Sequence, residues 1–137
     1  LTREVRCHLD LVPQVGPLGG LLTALTLAGD RDLLALPCDL PHLAPRALEL
    51  LLAPSFPHSP RFLPNSLARA FRHADGRTEP AVCLLGASAR EPLARFLEAG
   101  GRKLEQFLRE IGVEWLEIPA DLSPGFRNMN RPQDLAS

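Results

Sequence analysis

The sequence predicts an α/β domain built on a mostly parallel sheet with a small antiparallel excursion. Three observations point there. Short apolar runs alternate with helix-patterned segments through most of the chain, from "LLTALTLA" at residues 21–28 to "VEWLEIP" at 113–119. The segment "ADGRTE", with its Asp75-Gly76 pair, separates two apolar runs and marks a hairpin near residues 69–85. Hydrophobic residues make up 45% of the 137, enough for the core of one domain.

Taken in order, residues 5–12 ("VRCHLDLV") read as a strand leading to a loop, and residues 13–20 ("PQVGPLGG") as a turn rich in glycine and proline. "LLTALTLA" is apolar almost all round, which predicts a buried helix beginning near Leu18. Gly29 suits the position just past its C-terminus. Leu33 to Leu36 form a buried strand, and "CDLPHLAP" is the loop after it. Residues 45–53 place proline in a first turn followed by good helix formers. Four prolines punctuate residues 54–66, which predicts little regular structure. "ARAFRH" and "PAVCLL" are the hairpin strands. Glu91–Ala99 and Lys103–Ile111 read as two helices parted by Gly100-Gly101, and residues 113–119 alternate like a strand. "ADLSPGFRNMNRP" is a loop, and a last helix starts near Pro132.

Composition narrows the function. The net charge is -1, so no global field draws nucleic acid or an anionic membrane surface. No apolar run is long enough to span a bilayer, and none reads as a signal peptide. The 3 cysteines, Cys7, Cys38 and Cys83, are far apart and form no CxxC pair, so neither zinc nor a disulfide framework is indicated. A cytoplasmic protein is the plain expectation. Of 15 basic residues only Lys103 is a lysine.

Asp39 is the acid that demands explanation, because it appears where the apolar strand runs out, between Pro37 and Pro41. In open α/β sheets ligands bind outside the carboxyl ends of strands. A carboxylate there suits Mg2+, which takes one or two carboxylates plus phosphate oxygens and water. The alternative is a cap on the following helix or turn. "VGPLGGLL" opens a helix, and amides at such a terminus can face a nucleotide; a tight turn is the alternative. Asp10, just before it, is either an acceptor for a ribose hydroxyl or a solvated loop acid. His42 reads as structural and Trp115 as core.

Three segments in order, "LDLVPQVGPLGGLLTAL", "LALPCDLPHL" and "FRNMNRPQDLA", resemble the molybdenum cofactor guanylyltransferases of the MobA type. That family has a D-x-x-P-x-x-G-P-L-x-G-L segment, matched by Asp10, Pro13, Gly16, Pro17, Leu18 and Gly20. Its P-C-D-x-P motif is matched by Pro37, Cys38, Asp39 and Pro41. Its closing F-x-N-x-N-x-P-x-D/E-L is matched by Phe126, Asn128, Asn130, Pro132, Asp134 and Leu135. Residues 91–108 also look like the family's paired helices with a basic turn. The resemblance implies a Rossmann-like nucleotidyltransferase three-layer sandwich. The family's glycine-rich L-x-G-G-x-S-x-R-M-G-x-x-K loop has no counterpart here. Residues 1–137 are therefore expected to be the C-terminal part of a single nucleotidyltransferase domain, with roughly two βαβ units of about 30 residues each ahead of it.

The resemblance also implies an activity: transfer of GMP from GTP to the terminal phosphate of molybdopterin carrying molybdenum, with release of pyrophosphate. Asp39 is then the Mg2+ ligand, the catalytic residue, and part of the nucleotide site. Asp10, Gly16, Pro17, Leu18 and Gly20 line the nucleotide. Arg102, Lys103, Asn128 and Asn130 receive the acceptor; for the asparagines an Asx turn, and for the basic pair a solvated helix start, are the alternatives. Partners are GTP, molybdopterin and other cofactor-biosynthesis proteins, with no nucleic acid and no membrane. Two rivals stand beside this reading. One is a cytidylyltransferase or other nucleotidyltransferase acting on a phosphate; "NMNRPQD" in place of the cytidylyl relatives' D-I-D-T-P-E-D favours guanine. The other is a non-catalytic fragment that binds cofactor or a partner.

Overall fold

The computed structural model describes residues 16–53 and 62–127. The strand expected at residues 5–12 and the helix expected from Pro132 lie outside them. Helix α1 spans Pro17–Ala28, β1 Leu33–Ala35, α2 Pro45–Leu52, β2 Ala68–Arg72, β3 Thr78–Leu85, α3 Arg90–Glu98, α4 Leu104–Ile111 and β4 Val113–Glu117. A short 3₁₀ turn, Ala87–Ala89, leads into α3, and a longer one, Ala120–Phe126, follows β4. That second 3₁₀ segment lies where the sequence reads as loop.

The sheet order is β1-β3-β2-β4. Strand β3 is antiparallel to both β1 and β2, while β2 and β4 are parallel. Hence β1, β2 and β4 run one way and β3 alone runs against them, the antiparallel excursion expected from the Asp75-Gly76 turn. Strand β3 begins earlier than "PAVCLL" and contains Pro80, a residue without an amide hydrogen. The ladder explains how. Ala70 pairs with Cys83 and the next residue, Phe71, with Glu79, so Pro80 lies in the bulge where no ladder bond is required of it.

Strand periodicity sorts the side chains into two cores. Ala68, Ala70, Cys83 and Leu85 pack with Leu18, Leu22 and Leu25 of α1 and with the apolar faces of α3 and α4. Phe96 and Phe107 meet at 5.4 Å between ring centroids where those last two helices touch. Phe71 and Val82 point the other way, against Ala47 and Leu51 of α2 and Leu122 and Phe126 of the 3₁₀ segment. The result is helix, sheet and helix in three layers, as expected.

Arg69 sits on this second face and is only 2% exposed. Its Nε donates to Glu114 Oε2 at 3.0 Å, across the β2–β4 register in which the two residues are partners. One of its terminal nitrogens donates to the Leu51 carbonyl at 2.7 Å and also to that of Ala53. A buried guanidinium thus satisfies carbonyls that the end of α2 leaves without helical partners.

Connectivity brings the helix starts to one edge. Four residues separate α1 from β1, so α1 runs back along the sheet and its N-terminus lies toward the carboxyl end of β1. Likewise Gly112 alone separates α4 from β4, and Glu105 in the first turn of α4 accepts a hydrogen bond from Thr78 at the start of β3. The start of α4 therefore lies at the carboxyl end of β2 and β4.

Candidate active site

The carboxyl edge of the three co-directional strands gathers the loop after β1, the β2–β3 turn and the 3₁₀ segment after β4. The first and last are in direct contact. A Cβ placed on Gly125 would lie 2.7 Å from the His42 carbonyl oxygen and 3.3 Å from Leu43 Cα, so only glycine permits this approach. Leu40 and Phe126 are both buried in the core beneath, which fixes the two segments to the same layer. Between them opens a cleft of about 400 Å³ lined by His42, Ala44, Asp121, Leu122 and Arg127, among others.

Asp39 stands in the turn after β1, four residues beyond the strand, and is half-buried. The capping alternative is not what the structure shows. The residue before α2 is Ala44, with no side-chain cap, and the turn itself is closed by Leu43 N–H donating to the Leu40 carbonyl at 3.3 Å. Asp39 makes no hydrogen bond or ion pair with any described residue. A partly exposed carboxylate without a protein partner keeps its oxygens open to water or to a ligand. No cluster of three or more His, Cys, Asp or Glu suited to a metal exists among the described residues. One carboxylate excludes a cage built wholly by those residues but fits magnesium, which completes its shell with phosphates and water.

The remaining candidates fall unevenly. Gly16 precedes α1 with φ 70°, a left-handed conformation that glycine tolerates, and is exposed with Pro17 at the helix start. These two can approach a nucleotide at the carboxyl edge. Leu18 cannot: it is fully buried in the core beneath α1, because its place one residue into the helix turns it toward the sheet. Gly20 lies inside α1 and is half-buried. Arg102 turns back on its own connection, donating to the carbonyls of Leu97 at 3.0 Å and Gly101 at 2.6 Å, so its guanidinium closes the end of α3. Lys103, exposed at the start of α4, has no partner among the described residues. It precedes α4, whose first turn is tied to the start of β3 by the Thr78–Glu105 hydrogen bond and which packs on the first core, whereas Leu40 beside Asp39 is buried in the second. Asp10, Asn128 and Asn130 lie outside the described residues. His42 lines the cleft while its carbonyl meets Gly125. Trp115 is half-buried against the first core and carries the Arg109 guanidinium 5.5 Å from its ring centroid.

Sequence reading missed His73 and Glu79. Nε2 of His73 lies 2.7 Å from Glu79 Oε1, and its ring meets Phe126 edge to face at 6.1 Å. His73 also lines a second cleft, of about 550 Å³, with Glu117, Ile118, Pro119 and Ser123. The signal was there in principle. The hairpin turn sets the two strands side by side, and six residues of separation across it bring His73 and Glu79 together.

Comparison with known proteins agrees with this architecture. The profile of the MobA-like NTP transferase domain matches residues 1–115. A molybdenum cofactor guanylyltransferase of Mannheimia succiniciproducens is 34% identical over 122 residues, covering 89% of this chain and 60% of the relative. One from Acidovorax ebreus is 33% identical over 131 residues, covering 91% and 62%. The chain thus spans about three fifths of the length of the curated relatives it matches. Among solved structures, the molybdopterin-guanine dinucleotide biosynthesis protein A of Archaeoglobus fulgidus superposes with a TM-score of 0.71 at 25% identity, over 93% of this chain and 63% of that one. A protein from Aquifex aeolicus shares the fold at TM-score 0.72 and 21% identity. With most of its length matched by the profile and its sheet and layers matched by these structures, the chain belongs to the MobA-like NTP transferase domain family.

Proposed function

We propose that this chain belongs to a cytoplasmic enzyme that transfers GMP from GTP to the terminal phosphate of molybdenum-bearing molybdopterin. A phosphate oxygen of the acceptor attacks the α-phosphorus of GTP, the bond to the β-phosphate oxygen breaks, and pyrophosphate leaves with the electron pair. Such a reaction needs alignment of the attacking group and positive charge near the leaving group more than covalent help. The observation that carries the reading is Asp39: a half-buried carboxylate with no partner among the described residues, at the carboxyl edge of the sheet.

Asp39 would hold Mg2+, which offsets negative charge on the nucleotide phosphates when bound. The Gly125 contact holds the Asp39 loop against the 3₁₀ segment, so that the metal side and the closing segment keep a fixed relation. Gly16 and Pro17 would border the nucleotide, with Asp10 accepting from its ribose. Lys103 would meet the acceptor phosphate, and Asn128 and Asn130 have both donors and acceptors suited to a pterin edge.

The test is donor competition. The complete gene product is supplied with magnesium, molybdopterin and α-labelled GTP or CTP. The reading expects labelled guanine dinucleotide and little inhibition by CTP. Preferential CMP transfer identifies the cytidylyl rival, and binding without turnover identifies the non-catalytic one.

A further inference from the structure

The pair His73–Glu79 has no role in the reaction as just proposed, yet it occupies the centre of the carboxyl edge. His73 is the first residue after β2, at the start of the hairpin turn. Three contacts fix it. Its backbone amide donates to the Arg77 carbonyl at 2.7 Å, and its carbonyl accepts from Gly76 N–H at 3.0 Å, so the turn sets its main chain. Its ring nitrogen bonds Glu79 across the hairpin at 2.7 Å, which sets the ring plane. The edge of that plane then meets Phe126, with 80° between the rings. Phe126 also meets Phe71 edge to face, at 5.2 Å and 71°.

Phe126 is the first residue of the closing F-x-N-x-N pattern and the last of the 3₁₀ segment. Its ring therefore anchors the end of the 3₁₀ segment, two positions before Asn128 in the sequence. A 3₁₀ segment is poorly suited to hold that point alone, since its hydrogen bonds are strained and the last of them, Arg127 N–H to the Pro124 carbonyl, is 3.3 Å long. Aromatic rings packed edge to face supply a directional contact that an aliphatic side chain does not.

We propose that His73, oriented by Glu79, is a positioning residue for acceptor recognition: it braces Phe126 and so fixes where the closing segment begins. The proposal rests on the guanylyl-transfer reading for its kinetic consequence but not for its structural one. His73 touches neither substrate in this account, and the nucleotide and Asp39 lie on other segments of the edge. Its removal therefore acts on the acceptor side first, while the Gly125–His42 contact still holds the Asp39 loop.

The experiment uses the complete gene product carrying His73→Ala, Phe126→Leu or both, with Glu79→Gln as a milder probe that keeps a hydrogen bond to the ring. Hydrogen–deuterium exchange is followed across residues 120–127 and, as a control, across α1, which packs in the other core. Acceptor and GTP KM values are measured in parallel. We expect His73→Ala to speed exchange in residues 120–127 several-fold while α1 is unchanged. The acceptor KM should rise about tenfold with the GTP KM constant. The effects of His73→Ala and Phe126→Leu should be less than additive, because both break the His73–Phe126 contact while Phe126→Leu also loses its packing on Phe71. Glu79→Gln should lie between wild type and His73→Ala. Unchanged exchange in 120–127, or KM values that rise together, or full additivity, overturns the proposal. If the wild type transfers no GMP at all, the functional reading fails, and the exchange data still decide whether His73 positions the segment.

Discussion

Arg69 and Asp39 are two charged groups associated with the same layer, and their surroundings are opposite. Arg69 is 2% exposed and has an acid partner and two backbone carbonyls. Asp39 is half-buried and has no partner among the described residues. The first is a charge the fold has consumed: it joins β2, β4 and the end of α2, and nothing remains with which to act on a ligand. The second is a charge the fold has left over, held in place by its loop. Partnership, more than burial or formal charge, separates an architectural ion from one available for chemistry.

The largest effect should come from breaking the consumed charge. Arg69→Ala leaves Glu114 and two carbonyls without their partner, and removing one member of a buried pair costs about 3–5 kcal/mol. Chemical denaturation should show a large loss of stability, with activity lost only as the folded population falls. A double substitution that also replaces Glu114 with glutamine should recover part of the loss. If Arg69→Ala is as stable as wild type, the clamp is not structural.

Next is the junction that connects Asp39's loop to the closing segment. Gly125→Ala forces its Cβ against the His42 carbonyl, and overpacking of this kind costs about 1–3 kcal/mol. Turnover should drop by more than the loss of folded protein explains, because the two loops separate at the cleft. Turnover that tracks folded fraction alone would show that the contact serves stability only.

A smaller, selective effect is expected for Lys103→Ala. The acceptor KM should rise about tenfold, equivalent to about 1.4 kcal/mol, with the GTP KM and magnesium dependence unchanged. Arg102→Ala is the contrast: its guanidinium closes α3, so it should lower melting temperature without separating the two KM values. Identical kinetic behaviour of both variants would remove the distinction drawn between them.

The smallest effect concerns cysteines in a Cys7→Ser background. Burial pushes the Cys83 thiol up to about 12, so at pH 8 its thiolate fraction is roughly 10⁻⁴. Cys38, exposed beside Asp39, should react with a thiol reagent at once, and Cys83 only as the protein opens. Mass spectrometry after brief labelling distinguishes them. Reaction at Cys83 in the folded protein would contradict its place in the core.

Much of this was legible in the sequence because the signals are local. Pro17, Pro45 and Gly29 bound α1 and α2 within a residue or so of where composition placed them, and Asp75-Gly76 marked the hairpin. The strand after α1 ends at Ala35, one residue short, because Leu36 is 48% exposed and has already left the ladder. The 3₁₀ segment at 120–126 was invisible, since Ser123, Pro124 and Gly125 are the residues that punctuate a loop, and only packing on Leu43 and Phe71 turns them into structure. Asp39 could be singled out by its position after an apolar run. Leu18 could not be told from a nucleotide neighbour, because a motif fixes which residue stands there and not which way the helix turns it. Arg69 in "ARAFRH" reads as a surface charge; its partners come from residues 16, 18 and 45 positions away. His73 was hidden for the same reason, as its contact with Phe126 exists only once the hairpin and the 3₁₀ segment share an edge.

The central claim is that Asp39 is the leftover charge that recruits the metal. The most direct measurement is turnover of the complete gene product against magnesium concentration, for wild type and Asp39→Asn. The substitution keeps the side-chain shape and disrupts no hydrogen bond to the described residues. The account predicts an unchanged melting temperature, a rate lower by about 10²–10³, and a magnesium requirement shifted to much higher concentration. Near-normal turnover with an unshifted magnesium curve would contradict it and place the metal on other residues.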